Sequence, residues 1–184
     1  MRLRQYDPDM DKTECSCFNM PMNKPVTIVL VSDNHGSLNP LEYVLDAHRD
    51  ADYFIHCGDA ELPTYMLGGF AVVQGNNDDY NQFPSHRILE AGGHRIYICH
   101  GHRDMFFGHF DMLAAKAIAN KCDCVFFGHT HIPFDKEIGG VRVLNPGSIW
   151  MNRDGSSPSY MIVTLEEGCI SVELKTYIKS VLKK

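Results

Sequence analysis

A mixed α/β (α+β) architecture, with mixed β-sheets carrying helices on their outer faces, is the fold class that this 184-residue sequence predicts. Three observations lead there. Short apolar runs rich in β-branched residues, such as residues 26–31 (Val-Thr-Ile-Val-Leu-Val), are too short for a typical helix and suit strands covered on both faces. The first two such runs flank a helix-periodic segment, and a strand-helix-strand unit closes as a right-handed crossover that leaves both strand ends at one edge of a parallel sheet. The last third places glycine turns between short runs, the signature of antiparallel hairpins. Crossovers early and hairpins late give mixed sheets with helices outside.

Taken in order, the strand at 26–31 runs into Ser32-Asp33-Asn34-His35-Gly36. If the backbone stays extended, Asp33 and His35 leave on the same side, and Gly36 permits the sharp exit that follows. Asn39-Pro40-Leu41-Glu42 reads as a helix start, with Asn39 as N-cap, Pro40 at N1 and Glu42 at N3. Leu38, Leu41, Val44, Leu45 and His48 then give one apolar face as far as Arg49. Residues 51–57 form a second strand, with His56 packing at its end before Gly58-Asp59. A short helix at 62–67 is closed by Gly68-Gly69, and a third strand at 70–73 stops at Gly75-Asn76-Asn77-Asp78. Residues 87–90 and 94–99 pair about Ala91-Gly92-Gly93, the second of them leading into His100-Gly101-His102.

Phe110, Leu113, Ala114, Ala117 and Ile118 share one side of an amphipathic helix at 110–120. A buried strand at 124–127 closes with Gly128-His129-Thr130-His131. The remainder reads as a β meander of strands at 134–138, 141–144, 160–165 and 169–177, with turns at Gly139-Gly140, Asn145-Pro146-Gly147-Ser148 and Glu166-Glu167-Gly168. His86, His94 and His109 have no motif around them and read as surface residues, and Trp150 as a partly buried core aromatic.

Length and composition bound the rest. Residues 25–184 suffice for a single domain with a sizeable core, and residues 1–24 read as a flexible leader. That leader mixes Arg2, Arg4 and Lys12 with Asp7, Asp9 and Glu14 and lacks the apolar segment of a signal peptide. Hydrophobic residues at 44% and charged residues at 22% are those of a soluble globular chain. A net charge of −6 argues against a stable, delocalised grip on nucleic acid, which needs basic surface, yet leaves a nucleotide open as a small substrate. No apolar run reaches the roughly 18 residues of a membrane span. Seven cysteines, an odd number at irregular spacings, point to a reducing, cytoplasmic compartment. Cys15-Ser16-Cys17 and Cys122-Asp123-Cys124 lack the two-residue gap of a zinc knuckle and read as buried or incidental thiols.

Chemistry gathers where the apolar strands stop. Asp33 and His35, Asp59, Asn76, His100 and His102, then His129 and His131 all stand at predicted strand ends, the edge at which open α/β sheets bind ligands. Carboxylate, amide and imidazole donors in this number exceed one tetrahedral ion and suit two, with one carboxylate, most simply Asp59, between ions about 3.5–4 Å apart. Only Cys57 stands near them, which favours Mn²⁺, Fe, Zn²⁺ or Ni²⁺ over thiophilic metals.

Ser32-Asp33-Asn34-His35-Gly36, Gly58-Asp59, Gly75-Asn76, His100-Gly101-His102 and Gly128-His129-Thr130-His131 resemble, in that order, the signature of the calcineurin-like metallophosphoesterases, across residues 26–177. The short chain and the Asn145–Ser148 turn are similar to the small bacterial and archaeal phosphodiesterase branch. The resemblance implies a four-layer β-sandwich of mixed sheets flanked by α-helices. It implies two divalent metal ions, Mn²⁺ foremost with Zn²⁺, Ni²⁺ or Fe as substitutes. One is held by Asp33, His35, Asp59 and His131, and the other by Asp59, Asn76, His100 and His129. It also implies hydrolysis of a small phosphoester, phosphodiesters first, by a hydroxide bridging the ions, in a family whose small members often form homo-oligomers.

One position departs from the family pattern. Many members place a histidine directly after the ligand asparagine to protonate the leaving group, whereas this chain has Asn77, followed by Asp78. Asparagine is not an acid, so leaving groups depart unaided or another group, His102 or a metal-bound water, supplies the proton, and Asn77 is left to contact substrate. His102 reads equally as a residue that only shapes its loop. A second function class is a protein-interaction scaffold on the same fold, as in the small retromer subunit, which this chain resembles in length. That role goes with eroded ligands, and here every expected ligand position holds a competent donor. Structural metal sites are usually closed, single and cysteine-rich, unlike this cluster.

Overall fold

Strand β1 (Val26–Val31) shows why the sequence builds layers: Ile28 and Leu30 face one way and Val29 and Val31 the other, and all four are fully buried. Both of its faces must therefore be covered. In the computed structural model, which describes residues 24–106 and 108–178, they are. The leader expected at 1–24, except Lys24, and the Cys15/Cys17 pair lie outside the described residues.

The first sheet has the order β10-β9-β1-β2-β3. Here β2 (Tyr53–His56) and β3 (Phe70–Val72) run parallel to β1, while β9 (Ser159–Glu166) and β10 (Cys169–Thr176) form an antiparallel hairpin joined to its other edge. The second sheet has the order β4-β5-β6-β8-β7. Its centre, β5 (His94–Cys99), β6 (Cys124–Phe126) and β8 (Val141–Pro146), is parallel, and β4 (His86–Ala91) and β7 (Pro133–Ile138) pair antiparallel at the two edges. Ile28, Leu30, Ile55, Ile96, Ile98, Phe126, Leu144 and Val163 meet in the core between the sheets. Helix α1 (Leu38–Ala47) covers the outer face of the first sheet through Leu41 and Val44, and α2 (Phe110–Ala119) that of the second through Leu113, Ala114 and Ala117. The result is the four-layer sandwich of mixed sheets flanked by helices.

Local differences have identifiable causes. The last four strands are no meander: the β7/β8 hairpin belongs to the second sheet and the β9/β10 hairpin to the first. Hairpin signals report pairing with the next strand only, and residues 147–158 carry the chain across the sandwich. Strand β8 continues through Asn145 and Pro146, so the expected turn begins only at Gly147, whose φ is +77°. Helix α1 starts at Leu38 with Ser37 rather than Asn39 at the N-cap, and Pro40 fits in the first turn, where its missing N–H is not needed. It ends at Ala47, two residues before Arg49. His48 there has left helical geometry, and its Nε2 lies 3.0 Å from the Tyr160 hydroxyl. The expected helix at 62–67 is a single 3-10 turn, Thr64–Met66, after Pro63. His94 is no surface residue: its side chain is only 8% exposed, with Nδ1 2.6 Å from Asp123 Oδ2 and Nε2 2.9 Å from the Glu166 carbonyl of the other sheet. Trp150 is 38% exposed and lines a surface hollow with Met151 and Pro158 instead of entering the core. Cys57, Cys99, Cys122 and Cys124 are buried free thiols, as read for the last two. No helix among the described residues is long and apolar enough to cross a membrane.

Candidate metal centre

The ends of β1, β2 and β3 in one sheet and of β5 and β6 in the other come together at one edge of the sandwich. Asp33, His35, Asp59, His129 and His131 all have positive φ, between 45° and 66°. Non-glycine residues adopt this left-handed region at a cost, so their surroundings must hold them there. For Asp33 and His35 this corrects the extended-backbone expectation: the two side chains converge because the loop coils. Neighbouring loops fix it. The backbone N–H groups of Asp33, His35 and Gly36 donate to the carbonyls of Gly58, Asp59 and Ala60 at 3.1, 3.2 and 2.9 Å. The Ser148 hydroxyl donates to the Asp33 carbonyl at 2.7 Å, and Ile149 N–H to that of Ser32. Glycine is required at two close approaches, since a Cβ at Gly75 would lie 2.1 Å from Asp59 Oδ1 and one at Gly128 2.0 Å from Ser32 Oγ.

Two triplets of donors share Asp33. Asp33, His35 and His131 form one, and Asp33, Asp59 and His100 the other, with ligand atoms within 4.8 Å of one another in each. Asp33 and His100 are wholly buried, and Asp59 nearly so. Asp33 Oδ1 has no hydrogen-bond partner and lies 3.2 Å from His131 Nε2 and 4.0 Å from His100 Nε2. Its Oδ2 accepts the His129 backbone N–H at 3.1 Å. His100 Nε2 lies 3.5 Å from Asp59 Oδ2 and 3.0 Å from Asn76 Oδ1, and the His129 ring stands 5.2 Å from that of His100.

The imidazoles are tied from behind. His100 Nδ1 lies 2.7 Å from the Cys57 carbonyl, His131 Nδ1 3.2 Å from that of Met151, and His35 Nδ1 2.6 Å from Glu61 Oε1. These partners only accept, so each Nδ1 donates a proton outward and each ring turns its Nε2 inward. His35 and His131 then face each other through Nε2 at 3.1 Å, beside the partnerless Asp33 oxygen. Ring nitrogens and carboxylates so placed call for positive charge between them. Protons partly meet that need: burial opposes charge on His100, but its hydrogen bond to Asp59 and the charges of Asp33 and Asp59 prevail and raise its pKa. Burial pushes Asp59 upward, yet His100 holds it well below the ordinary carboxylate range, and Asp33 is likewise lowered, chiefly by His131 and His100. A divalent cation satisfies the same geometry without protons, so the donor set fits metal.

Among the supporting residues, His56 is the strand-end packing residue and Asn145 lies in the turn that sequence marks, whereas sequence assigns no role to Glu61 or Asp78. Asp78 accepts three backbone N–H groups, from Asp59 at 3.0 Å, Gly75 at 2.8 Å and Glu61 at 2.8 Å, and so locks the 58–61 and 75–78 loops together. Asn145 Nδ2 donates to the Gly128 carbonyl and to Thr130 Oγ1, holding the His129–His131 loop. His56, buried beneath the centre, accepts the Gly58 N–H through Nδ1 and donates through Nε2 to Asn34 Oδ1, and burial lowers its pKa to about 4. The available signals were polar residues at strand ends: Glu61 two places after Asp59, Asp78 after Asn77, and the Asn145–Ser148 stretch.

Asn77 is exposed, but its donors point to Asp59: the backbone N–H to Oδ1 and Nδ2 to Oδ2, each at 2.8 Å. The His102 ring lies 5.3 Å from that of His100, and its buried Nδ1 has no hydrogen-bond partner. Burial, with His100 and Arg103 nearby, lowers its pKa to about 4. His102 and Arg103 line two hollows of about 640 and 470 Å³ that open beside the centre. The larger includes His86 stacked on Tyr97, with Lys116 opposite. Arg103 is exposed and has no ion-pair partner among the described residues.

Residues 26–168 match the family described as the calcineurin-like phosphoesterase superfamily domain. The chain is 34% identical to a probable metallophosphoesterase of Bacillus subtilis, YsnB, over 80% of its own length and 89% of the relative's. It is 27% identical to phosphodiesterase YfcE of Escherichia coli, over 72% and 84% of the two lengths. A solved structure from Streptococcus pneumoniae, described as a predicted phosphoesterase, superposes with a TM-score of 0.77 at 30% identity, covering 84% of this chain and 91% of that one.

Proposed function

The chain belongs to the calcineurin-like phosphoesterase superfamily, and on that premise we propose that it is a dinuclear metal-dependent hydrolase of small phosphoesters, phosphodiesters foremost. The observation that carries this reading is the inward-facing set of ring nitrogens around Asp33, with the Nε2 atoms of His35 and His131 3.1 Å apart beside it. Asp33, His35, Asp59 and His131 would hold one ion and Asp59, Asn76, His100 and His129 the other, with Mn²⁺ the first choice and Zn²⁺, Ni²⁺ or Fe as substitutes. Two divalent ions there would lower the pKa of a bound water and neutralise the phosphoryl oxygens.

The chain's own groups do the rest. Glu61 and the carbonyls of Cys57 and Met151 orient the imidazoles, and Asn77 keeps the Asp59 carboxylate in place with two hydrogen bonds. Arg103 offers positive charge to a substrate entering the hollows. His102, with a pKa of about 4, would meet the leaving oxygen as a neutral ring that donates an N–H. An imidazolium acid is thus scarce at pH 7, which suits esters with good leaving groups. The setting is cytoplasmic, where the buried thiols stay reduced, and the substrate is a small soluble molecule rather than a nucleic acid or a membrane. A scaffold role would leave the buried carboxylates without a purpose that offsets their cost.

The test is hydrolysis of bis(p-nitrophenyl) phosphate by chelated protein reloaded with Mn²⁺, beside Asp59→Asn. The variant is expected to lose about 100-fold or more in kcat/KM, since charge stabilisation of several kcal/mol is at stake. Equal rates, or metal analysis giving one ion per chain, would overturn the dinuclear reading.

A further inference from the structure

The three inward-facing imidazoles are not tied alike. His100 and His131 give their Nδ1 protons to main-chain carbonyls, whereas His35 gives its proton to a carboxylate, Glu61 Oε1, at 2.6 Å. A charged acceptor makes a stronger hydrogen bond than a carbonyl and pushes electron density toward the far nitrogen. We propose that Glu61 is a positioning residue of the metal centre: it fixes the His35 ring, strengthens its Nε2 as a donor, and makes the Asp33/His35/His131 position the tighter of the two. The inference rests on the dinuclear reading above.

Three observations support it. Glu61 occupies an unfavourable backbone conformation, φ +50°, and is held there by its N–H donating to Asp78 Oδ1 at 2.8 Å. The adjoining 33–36 and 58–61 loops are pinned by three backbone hydrogen bonds, so the carboxylate reaches His35 from a rigid frame. The His35 ring is itself committed to the centre, with Nε2 3.1 Å from His131 Nε2, which an ordinary surface His–Glu pair would not be. The other triplet has no such reinforcement. There no carboxylate backs a ring: His100 Nδ1 meets a main-chain carbonyl, and Asn77 donates to both oxygens of Asp59.

The experiment follows metal binding by the chelated full-length chain, with Mn²⁺ by calorimetry and Co²⁺ by visible absorbance, in the wild type, Glu61→Gln and Glu61→Ala, each also in a His35→Ala background. Two binding events of unequal affinity are expected for the wild type. Glu61→Ala should weaken the tighter by about 10–100-fold and leave the weaker nearly unchanged. Glu61→Gln, which keeps an acceptor without the charge, should fall between and serves as the test if the alanine variant does not fold. In the His35→Ala background neither substitution should matter, because Glu61 acts through that ring. Unchanged constants in both Glu61 variants would overturn the proposal, as would undiminished weakening without His35. A wild type that binds no ion would instead remove the dinuclear reading on which it stands.

Discussion

A single carboxylate explains much of the rigidity of the centre. Asp78 is 8% exposed and receives three backbone N–H groups from two loops, so each loop's curvature depends on the other. Asp78→Asn turns an amide toward donors it cannot accept from, and is expected to lower apo-protein stability by about 2 kcal/mol in urea titration. Its metal affinity should fall as well, because Asp59 and Glu61 sit on the loop that Asp78 holds. His102 poses a different question. If its neutral ring assists the leaving oxygen, His102→Ala should lower kcat more for an alkyl phosphodiester than for a nitrophenyl one, whose leaving group needs no help. Equal losses on both would reduce His102 to a residue that shapes its loop.

At the scale of strands and loops, the sandwich sends every donor to one edge by ending five strands there. The strands themselves were legible from residues 26–31 and their counterparts, since burial on both faces leaves an unbroken apolar run. The donors were legible because polar residues interrupt those runs at their ends. Three things were not. The crossing from β8 to β9 between sheets depends on which distant strand offers an edge, and hairpin turns carry no information about that. The coil that brings Asp33 beside His35 needs left-handed backbone at both residues, held by the 58–60 carbonyls far along the chain. The roles of Glu61, Asp78 and Ser148 likewise lie in partners remote in sequence. His56 shows a further effect at this scale. It sits neutral beneath the β1 and β2 ends with its pKa lowered to about 4 from 6.5, so as pH falls from 6.5 to 4 the unfolded chain takes up a proton that the folded chain refuses. The apo-protein should lose stability across that window, by about 3 kcal/mol from His56 alone, with His102 adding in the same direction. Chemical denaturation at stepped pH measures it, and His56→Gln should flatten the curve.

Viewed as a whole molecule, the donors divide four to three between the two halves of the sandwich. Asp33, His35, Asp59 and Asn76 stand at the ends of the first sheet's strands, and His100, His129 and His131 at those of the second. Either triplet takes donors from both sheets: Asp33 and His35 with His131, or Asp33 and Asp59 with His100. An ion at either position therefore adds a link between the sheets at the edge where His100 Nδ1 already meets the Cys57 carbonyl and the His129 N–H meets Asp33 Oδ2. Metal should bind the docked pair of sheets far better than the unfolded chain. A hundredfold excess over Kd is then expected to add about 2.7 kcal/mol of stability per ion, seen as a rise in melting temperature on adding Mn²⁺ to chelated protein. A melting temperature that ignores metal would contradict it. A cation held there would act as a rivet, and a simple melting curve would then gauge how much metal the protein carries, readable before any substrate is known.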